Sequence, residues 1–314
     1  MLRNFITLPT IALPFLLAAF ASAQQTAAKP APAPGSAADL VQQADKLSSQ
    51  GKQDEALALY RQALEKSPDS YEAHLGIGEA LDLKGDYAQA RDNLDKAIDL
   101  APADSKSQAL RAMAMSYAFE SNAPKAEEYE VQVFDARIRK DDFAAAGETC
   151  TELARIYLES GDPDLAYKWY KTGYETALRK PDISEADKNL WLFRWENAQA
   201  RIAARQGKAD EAKQHISAAK AALEKANNPD QARFYPYLTG YVAFYLKDYK
   251  TAITDLQKAD QREPLNLVLL GEAYEKSGEA AKAKEYYRKV LMSNAHNPTN
   301  GFARPVAKKK LAGS

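Results

Sequence analysis

Small and apolar residues recur along this chain in a pattern that breaks and restarts. The segment Gln53-Asp54-Glu55-Ala56-Leu57 aligns with Tyr87-Ala88-Gln89-Ala90-Arg91, which places Ala56 and Ala90 one copy apart. Gly51 with Gly85, Ala63 with Ala97 and Pro68 with Pro102 keep the same offset. Within each copy the apolar positions follow a helical period, and no convincing run alternates with the period of two that a strand requires. The glycines punctuate each copy about midway, so each reads as two helices joined by a turn. Such a unit is amphipathic and cannot bury its apolar face alone. Stacked copies make one continuous core. The expectation is an all-α chain, built as a solenoid.

The second copy carries Ile77-Gly78, Leu81, Gly85, Tyr87, Ala90, Leu94, Ala97 and Pro102. In this string the sequence resembles the tetratricopeptide repeat (TPR) family, whose helix-turn-helix unit of about 34 residues has small residues at positions 8, 20 and 27 and proline at 32. The match is clear over 37–104, where two units fit end to end. It recurs over 233–297, in Gly240, Tyr249, Ala252, Leu256, Ala259 and Pro264, and again in Leu270, Gly271, Tyr274, Gly278, Ala283, Tyr287 and Val290. Between them, over 105–232, the pattern is degenerate. Ala114, Tyr117 and Ala126 suggest a third unit; Ala154, Tyr157, Gly161, Ala166, Tyr170 and Gly173 a fourth; Ala200, Gly207, Ala212 and Ala219 a fifth. The resemblance implies a right-handed solenoid of about seven units, with the helices of one unit in close contact at positions 8 and 20. The alanines at position 20 are Ala56, Ala90, Ala126, Ala166, Ala212, Ala252 and Ala283. Their spacing widens in the middle of the series, so the middle helices are expected to be longer. Ser184 to Gln206 reads as one helix of about six turns, with Ser184 as its cap and Gly207 as its stop. Residues 298–314 hold Arg304, Lys308, Lys309 and Lys310 without an acid, and read as a short, frayed basic tail.

The N-terminus has a different character. Arg3 precedes an uncharged apolar run from Phe5 to Phe20, and Ala21-Ser22-Ala23 offers small residues for cleavage before Gln24. Residues 1–23 read as a secretory signal peptide. The run contains Pro9 and Pro14 and falls short of the roughly 20 apolar residues of a spanning helix. An exported, periplasmic or secreted protein is expected, with no integral membrane segment after cleavage. A retained anchor is the other reading of the same segment. Residues 24–36, rich in alternating Ala and Pro, read as an extended linker.

Charge excludes one class of partner. Lys and Arg number 42 and Asp and Glu 43, for a formal charge of −1, whereas a nucleic-acid binder carries a clear basic excess. One cysteine excludes an internal disulfide framework. His74, His215 and His296 are far apart in sequence and suggest no metal centre. Gly76-Ile77-Gly78 follows no strand, and Gly78 already serves as repeat position 8. Cys150 falls at a packed repeat position and reads as a small buried hydrophobe. No catalytic motif emerges, so the chain is expected to be no enzyme and to need no cofactor or metal.

TPR arrays resemble one another in holding extended peptides on the face formed by their first helices. Transferring positions 2, 5, 9 and 12 of each unit gives Asp45, Glu72, Glu79 and Asp82 in the first two units. Arg111, Arg155, Arg194, Asn197 and Arg201 follow in the middle, then Phe234, Tyr237, Tyr241 and Phe244 in the sixth, and Glu272 and Glu275 in the last. An acidic, then basic, then aromatic face would hold the carboxylates of a partner with its arginines and seat an apolar side chain on its aromatics. The alternative is that these side chains pack between units. The function expected is an exported scaffold binding a protein or peptide in the bacterial cell envelope. A binding or accessory subunit of an envelope enzyme, such as one acting on cell-wall glycan, is the other reading. Nothing in the sequence decides whether copies of the chain self-associate.

Overall fold

The computed structural model of the protein describes residues 32–313, and the predicted signal peptide and most of the linker lie outside them. The described residues form sixteen α-helices and no strand. Seven helix pairs follow in chain order: α1 (Ala37–Ser49) with α2 (Gln53–Lys66), α3 (Tyr71–Lys84) with α4 (Tyr87–Leu100), α5 (Lys106–Phe119) with α6 (Ala123–Ile138), α7 (Phe143–Ser160) with α8 (Pro163–Ala177), α9 (Glu185–Arg205) with α10 (Ala209–Ala226), α12 (Tyr235–Tyr245) with α13 (Tyr249–Leu256), and α14 (Pro264–Lys276) with α15 (Ala280–Leu291). A single turn, α11 (Pro229–Ala232), precedes the sixth pair, and α16 (Pro298–Ala312) follows the seventh.

Local sequence sets these boundaries. Ser36, Ser70, Asn122, Asp142, Asp162, Ser184 and Asp248 each accept a hydrogen bond from a backbone N–H in the first turn of the helix that follows, satisfying a donor with no partner inside the helix. Gly85 and Gly161 end α3 and α7 in the left-handed region, with φ of 100° and 96°. The middle helices are the long ones, as the alanine spacing predicts: α7 has 18 residues, α9 21 and α10 18, against 13 or 14 in α1 to α5.

The repeat positions pack as expected. Ala56, Ala90, Ala126, Ala166, Ala212 and Ala252 have no exposed surface. A Cβ added at Gly78 would lie 2.6 Å from the Leu94 side chain and 3.2 Å from the Ala90 carbonyl oxygen. A Cβ at Gly147 would lie 2.7 Å from the carbonyl oxygen of Gly173. Small residues are therefore required where the paired helices touch. The apolar core is spread along the array in successive clusters rather than gathered at one centre. Ala90→Leu puts three heavy atoms into a contact with no free space and should cost ~1–3 kcal/mol. Thermal melting of the purified variant measures this, and an unchanged melt would contradict the packing at position 20.

One expectation is corrected. The frayed tail expected over 298–314 is not one over its described residues, because Pro298–Ala312 form the helix α16. Asn297 caps it by accepting from Asn300 N, and Phe302, Ala303 and Ala307 are buried. That burial offsets the hydrogen bond Pro305 cannot donate within the helix. Among the described residues no helix is long and apolar enough to cross a membrane.

Candidate partner-binding cleft

The face lined by first helices is partly covered by the chain itself. The helix α16 packs against α5, α7, α14 and α15, so it joins the third and fourth units to the last. Phe302 inserts into the cluster that holds Ala114, Met115, Ala118, Leu153 and Leu158, while Ala303 and Ala307 belong to the cluster of Leu270, Tyr274 and Tyr287. Its cations are used at helix ends. Arg304 Nε donates to the Leu83 carbonyl at 2.8 Å and its Nη1 to the carbonyls of Leu291 and Ser293 at 3.0 Å. Lys308 Nζ donates to the Lys84 carbonyl at 2.8 Å. The carbonyls of Leu83 and Lys84 end α3, that of Leu291 ends α15 and that of Ser293 lies just beyond it, where the helix dipole favours positive charge. Lys310 meets Glu275 at 2.8 Å.

The acidic positions at the two ends of the predicted face are thus largely occupied from within. Asp82, fully buried, accepts from Ser116 Oγ at 2.8 Å and pairs with His296 Nε2 at 2.8 Å. Glu79 stands 4.0 Å from the other ring nitrogen of His296, whose ring stacks on Phe119. Burial opposes charge on His296, but the hydrogen bond to Asp82 and the charges of Glu79 and Asp82 outweigh it, Arg111 opposing, and raise its pKa. Burial likewise raises that of Glu79, with His296 acting against it. Asp45 accepts from Tyr60 Oη at 2.6 Å, and Glu275 accepts from Tyr287 Oη at 2.6 Å. His74 is packed between Asn93 and the Pro68 carbonyl, and His215 pairs with Glu196. Cys150 is 1% exposed, and burial pushes its thiol up to about 12, in keeping with an inert packed side chain.

The middle of the face remains open. A cavity of about 330 Å³ lies between α7, α8, α9 and the α11–α12 turn, lined by Glu148, Thr151, Arg155, Tyr170, Phe193, Arg194, Asn197, Arg201, Gln231 and Phe234. A second, of about 320 Å³, shares Glu148, Thr151 and Arg155 and extends to Arg111, Glu152, Glu263 and the first residues of α16. The structure places Arg155, Arg194, Asn197, Arg201 and Phe234 together along this cleft. Arg201 is only 3% exposed, so it forms the cavity wall rather than an open surface. Its Nε donates to Asn197 Oδ1 at 3.0 Å and its Nη2 to Tyr170 Oη at 2.9 Å. Arg194 lies over the Trp191 ring and approaches Glu148 at 3.5 Å. Arg111 is spent in a forked pair with Glu152.

The aromatic part of the prediction needs correction. Tyr241 is fully buried and cannot present a surface to a partner. Its hydroxyl accepts from Arg205 Nε at 2.7 Å and donates to Glu159 at 3.1 Å. Phe244 packs edge-on to Tyr245 and Tyr249. Tyr237 is half-buried against Tyr241, and its hydroxyl has no hydrogen-bond partner. Only Phe234, 38% exposed, stands at the mouth. The reason is the pairing of Arg205 with Glu159, which draws Tyr241 inward across three units. Sequence reasoning missed both of those residues, although Arg205 follows Arg201 by four positions and so shares its helix face. It also missed Tyr170 and Glu263 as cleft residues; Glu263, before the Pro264 that opens α14, carried no signal.

Comparison with known proteins agrees with this geometry. The tetratricopeptide repeat family matches residues 41–105, 149–184 and 266–297. The middle match falls on α7 and α8, where the pattern read from sequence is degenerate. No curated protein sequence gives a significant match. Solved structures of similar fold include a tetratricopeptide repeat protein from Parabacteroides merdae, at 14% identity and a TM-score of 0.50, covering 88% of this chain and 97% of that one. Aspartyl phosphate phosphatase F from Bacillus subtilis aligns at 14% identity and a TM-score of 0.56, over 81% and 69% of the two chains. A Rap protein complexed with competence and sporulation factor aligns at 14% and 0.52, over 88% and 76%. At such identities the likeness concerns the fold.

Among the described residues no group of histidine, cysteine, aspartate and glutamate side chains could hold a metal ion.

Proposed function

We propose that this protein is an exported, non-enzymatic scaffold of the bacterial cell envelope that binds a protein partner through the cleft in the middle of its repeat array. One observation carries the reading: the protein's own helix α16 covers much of the first-helix face, yet leaves the cleft around Arg155, Arg201 and Phe234 open. The repeats, and a structural neighbour described in complex with a factor, support a binding role. The apolar run before Ala21-Ser22-Ala23 supports export.

Affinity purification from the native envelope, with the wild type and an Arg155→Glu/Phe234→Ala variant in parallel, tests the binding role. The wild type should retain a defined partner that the variant loses while its helical signal is unchanged. Equal capture by both would refute the cleft as the partner site. Intact-mass analysis of the exported protein should give a chain beginning at Gln24. A chain retaining Met1 in the membrane fraction would refute cleavage.

A further inference from the structure

We infer that the chain self-associates, with the acidic outer face of α4 in one copy docking into the groove between α15 and α16 of another. This groove shares no lining residue with the cleft described above, so the inference stands apart from the partner role proposed for that cleft.

The groove, of about 520 Å³, lies between two helix faces. Ala280, Lys284 and Tyr287 line it from α15, and Val306, Lys309 and Gly313 from α16, each set running along one side of its helix for about two turns. Tyr287 and Val306, which pack with the apolar cluster of the last unit, give it an apolar floor. Its rim is positive. Lys310 is spent on Glu275, which also accepts from Tyr287 Oη. Lys284 and Lys309 make no ion pair among the described residues. Their neighbours on α15 do, Lys282 with Glu279 and Lys289 with Glu285. Two positive charges therefore remain beside an apolar floor.

The complementary surface lies on the same chain. The helix α4 is the second of its unit, and Asp92, Asp95 and Asp99 are exposed along one side of it, again for about two turns. None of the three carboxylates has a cation partner among the described residues. Burial, and then the charges of Asp99 and Asp92, raise the pKa of Asp95, and no cation is among the groups acting on it. Lys96 beside them offsets one of the three charges, so the face carries two in excess, the number that the groove offers in the opposite sign. At its end stands Leu100, 37% exposed. Other exposed apolar side chains have basic neighbours: Phe234 lies under Arg233, and Met292 stands with Arg262 and Lys289 around a separate cavity. Ion pairs at a surface contribute little singly. Contact of Leu100 with the apolar floor supplies affinity, while the charges select the face and fix its register.

Sedimentation equilibrium of the purified protein at low salt tests this. The wild type should exceed the mass of one chain as its concentration rises, and return to it when salt is added. Lys284→Glu/Lys309→Glu and Asp95→Lys/Asp99→Lys should each weaken self-association at least about tenfold. An equimolar mixture of the two variants should restore association, because the reversed groove of one then meets the reversed α4 of the other. None of these four side chains is buried, so the fold is kept. Leu100→Ser should weaken association without changing its salt dependence, since its contribution is apolar. A wild type that keeps the mass of one chain up to its solubility limit would overturn the inference. So would association undiminished by salt, by either double variant or by Leu100→Ser, or a mixture of the double variants that stays monomeric. A monomeric wild type whose envelope partner is lost on Lys284→Glu/Lys309→Glu would overturn it too, and would assign the groove to another protein.

Discussion

Phe302→Ala should destabilise the protein by ~3–5 kcal/mol, as large-to-small changes at buried aromatic sites do. Phe302 is 8% exposed, and its ring is the part of α16 that enters the cluster formed by α5 and α7. Its removal leaves a cavity among Met115, Ala118, Leu153 and Leu158, which helices fixed by their neighbours on both sides cannot close. The loss should also be felt at a distance. Because α16 bridges the third and fourth units to the last, its release converts a cross-braced array into one held by neighbour contacts alone. Thermal melting gives the size of the loss, and hydrogen exchange gives its place. Faster exchange in α16, α5 and α14, with α1 and α2 little changed, is the expected map. Exchange unchanged outside α16 would show that this helix is an appendage rather than a brace.

Asp82→Ala should cost about as much, ~3–5 kcal/mol, because it removes one member of a buried ion pair and leaves the other. Asp82 has no exposed surface and holds both Ser116 and His296. Without it the imidazolium loses its nearest counter-charge and the Ser116 hydroxyl its acceptor. The same pair makes stability depend on pH, with a definite sign. The pKa of His296 lies above its ordinary 6.5 in the folded protein, so its contribution is complete below pH 6.5 and is lost as pH rises through the folded value. Glu79, raised from its ordinary 4.5, acts in the same direction, its contribution fading as pH climbs above 4.5. Arg111 lowers both pKa values and thereby limits the effect. The wild type should therefore melt at lower temperature as the pH rises from 6 into the alkaline range. His296→Gln should flatten that dependence, and a His296→Gln variant with the wild-type slope would exclude the histidine as its source.

The repeat pattern was enough to determine the helices, their pairing and their order. The offset that Ala56 and Ala90 share with Gly51 and Gly85 reports contacts between helices adjacent in the chain, and such contacts depend on local sequence. The same holds for the long helix after Ser184, whose cap and stop lie in the sequence itself. The basic and polar cleft residues Arg155, Arg194, Asn197 and Arg201 were legible for the same reason, since a position within a repeat sets the direction of a side chain. Tyr241 was not, because its orientation depends on Glu159, 82 positions away. Nor was α16. Its cap, Asn297 followed by Pro298, and its apolar positions Phe302, Val306 and Ala307 could have been read as a helix, but Arg304 and the run Lys308-Lys309-Lys310, without an acid, argued for a frayed end. What the sequence could not show is that carbonyls and carboxylates near the start of the array stand ready to receive those cations, as Leu83 receives Arg304 and Asp82 receives His296. Contacts between units stacked in order can be read from a period; contacts made when the last helix folds back on the third unit arise only once the whole array has brought its two ends together.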